Sequence, residues 1–146
     1  MRLNKTQRAE VKRRFDGRCA YCGELLSDRW HADHQHPITR ISQWVDGVGF
    51  QPTGEILRPD MDTLDNIFPA CIACNMDKGG YHLEQWRDRL SRTVEVLMRD
   101  APAYRMARRF GLVRETGAPI AFHFEIVAGE AKEEGTFAPP SQFLKV

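Results

Sequence analysis

Cys71-Ile72-Ala73-Cys74-Asn75 repeats the spacing of Cys19-Ala20-Tyr21-Cys22, and these two pairs hold all the cysteines of the chain. Two residues between paired cysteines is the spacing of a zinc knuckle, and two knuckles together supply the thiolates of a tetrahedral site with four sulfur ligands. Such a site contributes folding free energy to whatever it closes around. Asp33-His34 lies between the pairs, and the second pair runs straight into Asn75. The metal frame therefore encloses side chains with chemistry of their own. A thioredoxin-like redox pair is the rival reading, but it needs one pair in a βαβ setting, and neither pair has that setting.

Working outward, 146 residues is the length of one domain, and a chain of this size buries roughly 70% of the surface it exposes unfolded. Charged residues are 28% and hydrophobic residues 42%, a globular composition rather than a disordered or membrane one. No apolar run approaches the ~20 residues of a membrane span, and Met1-Arg2-Leu3-Asn4-Lys5-Thr6 lacks the apolar stretch of a signal peptide. These features predict a cytoplasmic protein with no membrane partner, where cysteines bind metal more often than they form disulfides. The net charge of +1 carries no argument for nucleic acid, but its distribution is uneven. Arg2, Lys5, Arg8, Lys12, Arg13, Arg14 and Arg18 crowd the start, and eight arginines fall between 87 and 114. Glu130, Glu133 and Glu134 hide these stretches in the sum.

Residues 5 to 15 predict a helix, capped by Asn4 or Thr6, with Val11 and Phe15 on one face and Gly17 past its end. Residues 29 to 34 predict a strand entering His34, stopped by Pro37. From 38 to 64 the pattern is ambiguous between a short helical turn at Ile41, Trp44 and Val45 and an inserted hairpin. Asn75 opens a short helix. Leu83, Trp86, Leu90, Val94 and Leu97 predict one amphipathic helix over 82–99, with Trp86 in its core face. Pro102 and Gly111 bracket a second, over 101–110. The alternation of Ile120, Phe122, Phe124 and Ile126 predicts a strand over 120–127, paired with 112–114 across Thr116-Gly117. The Glu, Lys, Gly and Pro-Pro mixture of 129–146 predicts a flexible tail.

Hydrolysis of a phosphodiester needs a base to deprotonate water, a cation to stabilise charge on the phosphate and the leaving oxygen, and a group that holds the base still. Histidine, with a reference pKa of about 6.5, suits the first task. The carboxylate of Asp33 and the amide carbonyl of Asn75 are hard oxygen donors suited to Mg2+ or Mn2+. Each residue also has a plainer reading. Asn66 after Asp65 suits a turn and Asn75 a helix cap; His36 divides between a backbone contact and a substrate contact, and Lys78 between phosphate and solvent.

The order Cys19-x2-Cys22-Gly23, Asp33-His34-Gln35-His36-Pro37, Asp65-Asn66, Cys71-x2-Cys74-Asn75-x2-Lys78-Gly79 resembles the HNH endonuclease family in its four-cysteine form, common in phage and bacterial genomes. The resemblance covers about residues 10 to 90. It implies an α+β fold with a ββα-metal (His-Me finger) core stapled by a four-cysteine zinc site, flanked by helices and a small C-terminal β element. The implied layout is a nuclease domain over 1–100, a helix and strand extension over 101–128, and the tail. His34 would be the general base, Asn66 would orient the loop carrying it, and Asp33 with Asn75 would bind the catalytic Mg2+ or Mn2+. DNA is the implied partner, with His36, Lys78, Arg13 and Arg14 as contacts, in a setting shared with other phage or restriction proteins. The family's third letter is often histidine. Asn75 matches the variant of CRISPR effector nucleases and favours Mg2+ over metals that prefer imidazole. The stretch from Pro37 to Asp65 is longer than the family's usual connection, leaving room for a contact of its own. The alternative is a non-catalytic zinc-knuckle module that binds nucleic acid.

Overall fold

The computed structural model describes residues 1–129, and the chain divides into two compact units, Met1–Leu83 and a second from Glu84. The tail expected over 129–146 lies, apart from Gly129, outside the described residues. In the first unit, helix α1 (Lys5–Arg13) opens on a capping box: Asn4 Oδ1 accepts from the Gln7 amide at 2.9 Å, and Gln7 Oε1 accepts from the Asn4 amide at 3.0 Å. Two otherwise orphaned donors are satisfied by that exchange. Gly17, at φ +73°, turns the chain away after the helix ends. The apolar face lands where its spacing requires, with Val11 fully buried and the Phe15 ring 5.0 Å from that of Phe68.

Strand β1 (His31–His34) pairs antiparallel with β4 (Ile67–Ala70), His31 opposite Ala70 and His34 opposite Ile67. Helix α2 (Ile72–Lys78) follows β4 after one residue, Cys71, and packs against β1. Two adjacent strands and a helix leaving the second one thus form the centre of the unit. The first knuckle is tied to that centre by the Ala20 amide, which donates to the Pro69 carbonyl at 2.8 Å. Cys19, Ala20, Tyr21, Trp30, Ile67 and Ala70 are buried around it.

The ambiguous stretch resolves as a hairpin, β2 (Thr39–Val45) and β3 (Gly49–Leu57), inserted between β1 and β4. Gly49, Pro52 and Gly54 disguise β3, since they weaken strand propensity. A two-stranded ribbon has only edge strands, where proline is tolerated. Most of its residues are exposed, and Trp44 meets Phe50 edge-on at 5.3 Å. A 3-10 turn at Pro59–Met61 brings the chain back towards β4.

Two expectations are corrected in the second unit. The helix expected over 82–99 is broken into α3 (Leu83–Ser91) and α4 (Thr93–Asp100), with Arg92 between them at φ −89°, ψ 0°. Ser91 Oγ donates to the Asp88 carbonyl at 2.8 Å, a local bond that competes with helix continuation. The C-terminal β element is not formed: 112–119 is irregular and His123–Val127 is a short helix, α6. Phe122 and Ile126 satisfy a helical i, i+4 spacing as well as alternation, and Glu125 decides between them. Its carboxylate accepts the Phe122 amide at 2.9 Å and pairs with Arg87. Phe122 stacks on Trp86, ring centroids 5.0 Å apart, so Trp86 is core as its spacing predicts. Helix α5 (Pro102–Arg109) starts on the expected proline.

Candidate functional site

The sulfurs of Cys19, Cys22, Cys71 and Cys74 all lie within 4.8 Å of one another, and Cys22 Sγ is 3.9 Å from Cys71 Sγ. Zinc–sulfur bonds of about 2.3 Å in a tetrahedron separate the sulfurs by about 3.8 Å, so the cluster has the size and donor chemistry to hold a metal such as zinc. The backbone is shaped to it. Cys71 is the N-cap of α2 and its Sγ accepts from the Cys74 amide at 3.4 Å, while Cys19 Sγ accepts from the Cys71 amide at 3.3 Å. Gly23, at φ +75°, supplies the left-handed turn after the first pair. Hydrogen bonds from Cys22 and Cys74 hold the Cys19 thiol far below its ordinary range. Its hydrogen bond to Cys19 pushes Cys22 up to about 12, and bonds to Cys19 and Cys22, together with burial, raise Cys74 further. A divalent ion bound by the four sulfurs would take the place of their thiol protons.

His34 ends β1 with 9% of its surface exposed. Its Nε2 lies 2.8 Å from Asp62 Oδ1, and its backbone carbonyl accepts from Lys78 Nζ at 2.8 Å. Lys78 also pairs with Asp33 Oδ2 at 2.9 Å, and the same oxygen accepts from the Tyr21 hydroxyl at 2.5 Å. Burial and the Asp33 charge raise the Tyr21 phenol above its ordinary value, which keeps it a donor. Lys78 is therefore corrected from a phosphate contact: it has no exposed surface and its ammonium is committed to Asp33 and the His34 carbonyl. Lys78→Met should cost about 3–5 kcal/mol, because it strands a buried carboxylate. Asp33→Asn combined with Lys78→Met should recover part of that loss; urea denaturation of both variants checks it.

Asn66 is 6% exposed and clamps two loops. Its Oδ1 accepts from the His36 amide at 2.9 Å, and its Nδ2 donates at 2.8 Å to both the His36 and Met61 carbonyls. One side chain thereby ties the segment after His34 to the segment before Asp62. Asn66→Ala leaves those backbone groups without their partner, at a cost of about 2–4 kcal/mol. The check is a lowered denaturation midpoint at unchanged zinc content.

Asn75 sits on α2 with its amide nitrogen 2.7 Å from His31 Nδ1, and its carbonyl oxygen makes no hydrogen bond among the described residues. Asp33 Oδ1 likewise makes no hydrogen bond or ion pair among the described residues. Asn75 and His31 line an open pocket of about 520 Å³ with Arg2, Arg8 and Trp30. Arg8 donates to the Trp30 carbonyl at 2.8 Å and lies 4.0 Å over the indole ring. Arg13 and His36 are exposed, and exposed Arg14 pairs with Glu10 at 2.7 Å.

Asp62, Tyr21 and His31 did not stand out in the sequence. Asp62 falls in the ambiguous insertion, Tyr21 inside a knuckle read for its cysteines, and His31 three residues before a histidine with a stronger context. Compared with protein families, curated proteins and solved structures, the chain finds no match. No helix among the described residues is long and apolar enough to cross a membrane.

Proposed function

We propose that the chain is an HNH-type endonuclease that hydrolyses DNA phosphodiester bonds, with zinc on the four cysteines as its structural frame. The observation that carries this reading is the position of His34. It ends the first strand of an antiparallel pair whose second strand leads into the helix bearing Asn75, with Asn66 holding the loop between. This order of strand, strand and helix supports reading the centre of the unit as a ββα-metal core.

In the proposed reaction His34 takes a proton from a water molecule. The water oxygen forms a bond to phosphorus, the bond from phosphorus to the 3' oxygen breaks, and the departing oxygen takes up a proton. The products carry a 5' phosphate and a 3' hydroxyl. Asp33 and Asn75 would hold Mg2+ or Mn2+, which when bound supplies neutralisation of charge on the phosphate and the leaving oxygen. Lys78 offsets the Asp33 charge, so the pair alone offers a cation little attraction, and ion binding in this reading is completed by the substrate phosphate. Asn66 keeps the His34 loop in register. Arg13, Arg14 and His36 are exposed and available to neighbouring phosphates, where each contact adds salt-dependent affinity.

The test is conversion of supercoiled plasmid to open circles in Mg2+ or Mn2+, read against His34→Ala. Salt-dependent DNA binding with zinc bound and no cleavage in any divalent ion would instead identify a nucleic-acid-binding module.

A further inference from the structure

Resting on the endonuclease reading, we infer that Asp62 is a positioning residue for His34, fixing the ring so that Nδ1, not Nε2, receives the proton from water. The contact between them is short, 2.8 Å from Asp62 Oδ1 to His34 Nε2. An ionised carboxylate only accepts hydrogen bonds, so Nε2 carries the hydrogen and the lone pair of the neutral ring is on Nδ1. The Met1 ammonium, 2.6 Å away, and the bond from His34 hold Asp62 below the usual carboxylate range, which keeps it an acceptor. Among the described residues Nδ1 makes no hydrogen bond, and no buried side-chain nitrogen or oxygen there lacks a partner. Nδ1 is therefore the ring nitrogen that water reaches.

The surroundings hold this contact from both sides. Asp62 leaves the 3-10 turn Pro59–Met61, which is entered through Arg58 in the left-handed region at φ 60°. Non-glycine residues take that conformation where neighbouring structure holds them to it. The Met61 carbonyl, one residue before Asp62, and both backbone groups of His36, two residues after His34, are gripped by Asn66. Asp62 belongs to the insertion between the two strands, so the long connection delivers the group that orients the base. A carboxylate behind a histidine base does two things: it selects the tautomer and stabilises the imidazolium formed when the proton arrives.

The experiment uses the full zinc-loaded chain, labelled with 15N at histidine, as wild type, Asp62→Ala and Asp62→Asn. At alkaline pH the wild-type His34 nitrogen shifts should report the hydrogen on Nε2, and Asp62→Ala should lose that single tautomer. Plasmid nicking should fall roughly 100-fold or more in kcat, with KM for DNA and zinc content unchanged; Asp62→Asn keeps the shape if Asp62→Ala fails to fold. A wild-type hydrogen on Nδ1, or variants that cut at the wild-type rate, would overturn the inference. If the tautomer is as stated but no protein cuts DNA, Asp62 does position His34 and the endonuclease reading is what fails.

Discussion

Cys71→Ser is expected to release zinc and unfold the first unit. Cys71 serves twice, as one of four sulfurs gathered within 4.8 Å and as the cap whose Sγ accepts the Cys74 amide at the start of α2. Serine can take over the cap but is a poor zinc ligand. Structural zinc contributes about 10–16 kcal/mol in small knuckles, whereas a whole domain is stable by only about 5–15 kcal/mol. The lost ligand therefore outweighs the apolar core, which here is small: Val11, Tyr21, Trp30 and Ile67 are its larger members. Circular dichroism with zinc quantitation should find an unfolded, metal-free first unit in the variant and in wild type treated with a strong chelator. A Cys71→Ser protein that melts like wild type would mean that the sulfurs do not hold a structural metal.

His34→Ala is the opposite case: under the proposed function it has a large effect on rate and a small one on the fold. Removing a general base costs roughly 10²–10⁴-fold in rate. The side chain gives up one polar contact, to Asp62, worth about 1 kcal/mol. The interaction that ties β1 to α2 at this point runs from Lys78 Nζ to the His34 backbone carbonyl, and alanine keeps that carbonyl. Zinc content and urea midpoint should stay close to wild type while cleavage slows by roughly 10²–10⁴-fold. If His34→Ala unfolds as Cys71→Ser does, the ring is a core element.

Much of the frame is legible in the sequence because local chemistry dictates it. Paired cysteines, the Asn4 cap, the Val11–Phe15 spacing and Pro102 each act within a few residues of themselves, and each appears where its pattern places it. Legibility fails where two periodicities fit one segment: Phe122 to Ile126 alternates and also repeats at four, and the Glu125–Arg87 pair that selects the helix joins residues far apart in sequence. It fails again for charge. Lys78 reads as a lysine divided between phosphate and solvent because nothing near it in sequence announces Asp33, yet the fold buries it against that carboxylate. Asp62 is hidden for a third reason. Its meaning comes from a clamp, Asn66, that joins two loops and leaves no periodic trace.

The proposed role of His34 is that of the base of a nuclease. It is tested most directly by incubating supercoiled plasmid with equal amounts of zinc-loaded wild type and His34→Ala in Mg2+ and in Mn2+, and following open-circle product over time. Wild type should nick the plasmid, leaving 5' phosphate ends, and the variant should be slower by roughly 10²–10⁴-fold. Equal rates for the two proteins, or no nicking by wild type in either ion, would contradict the claim.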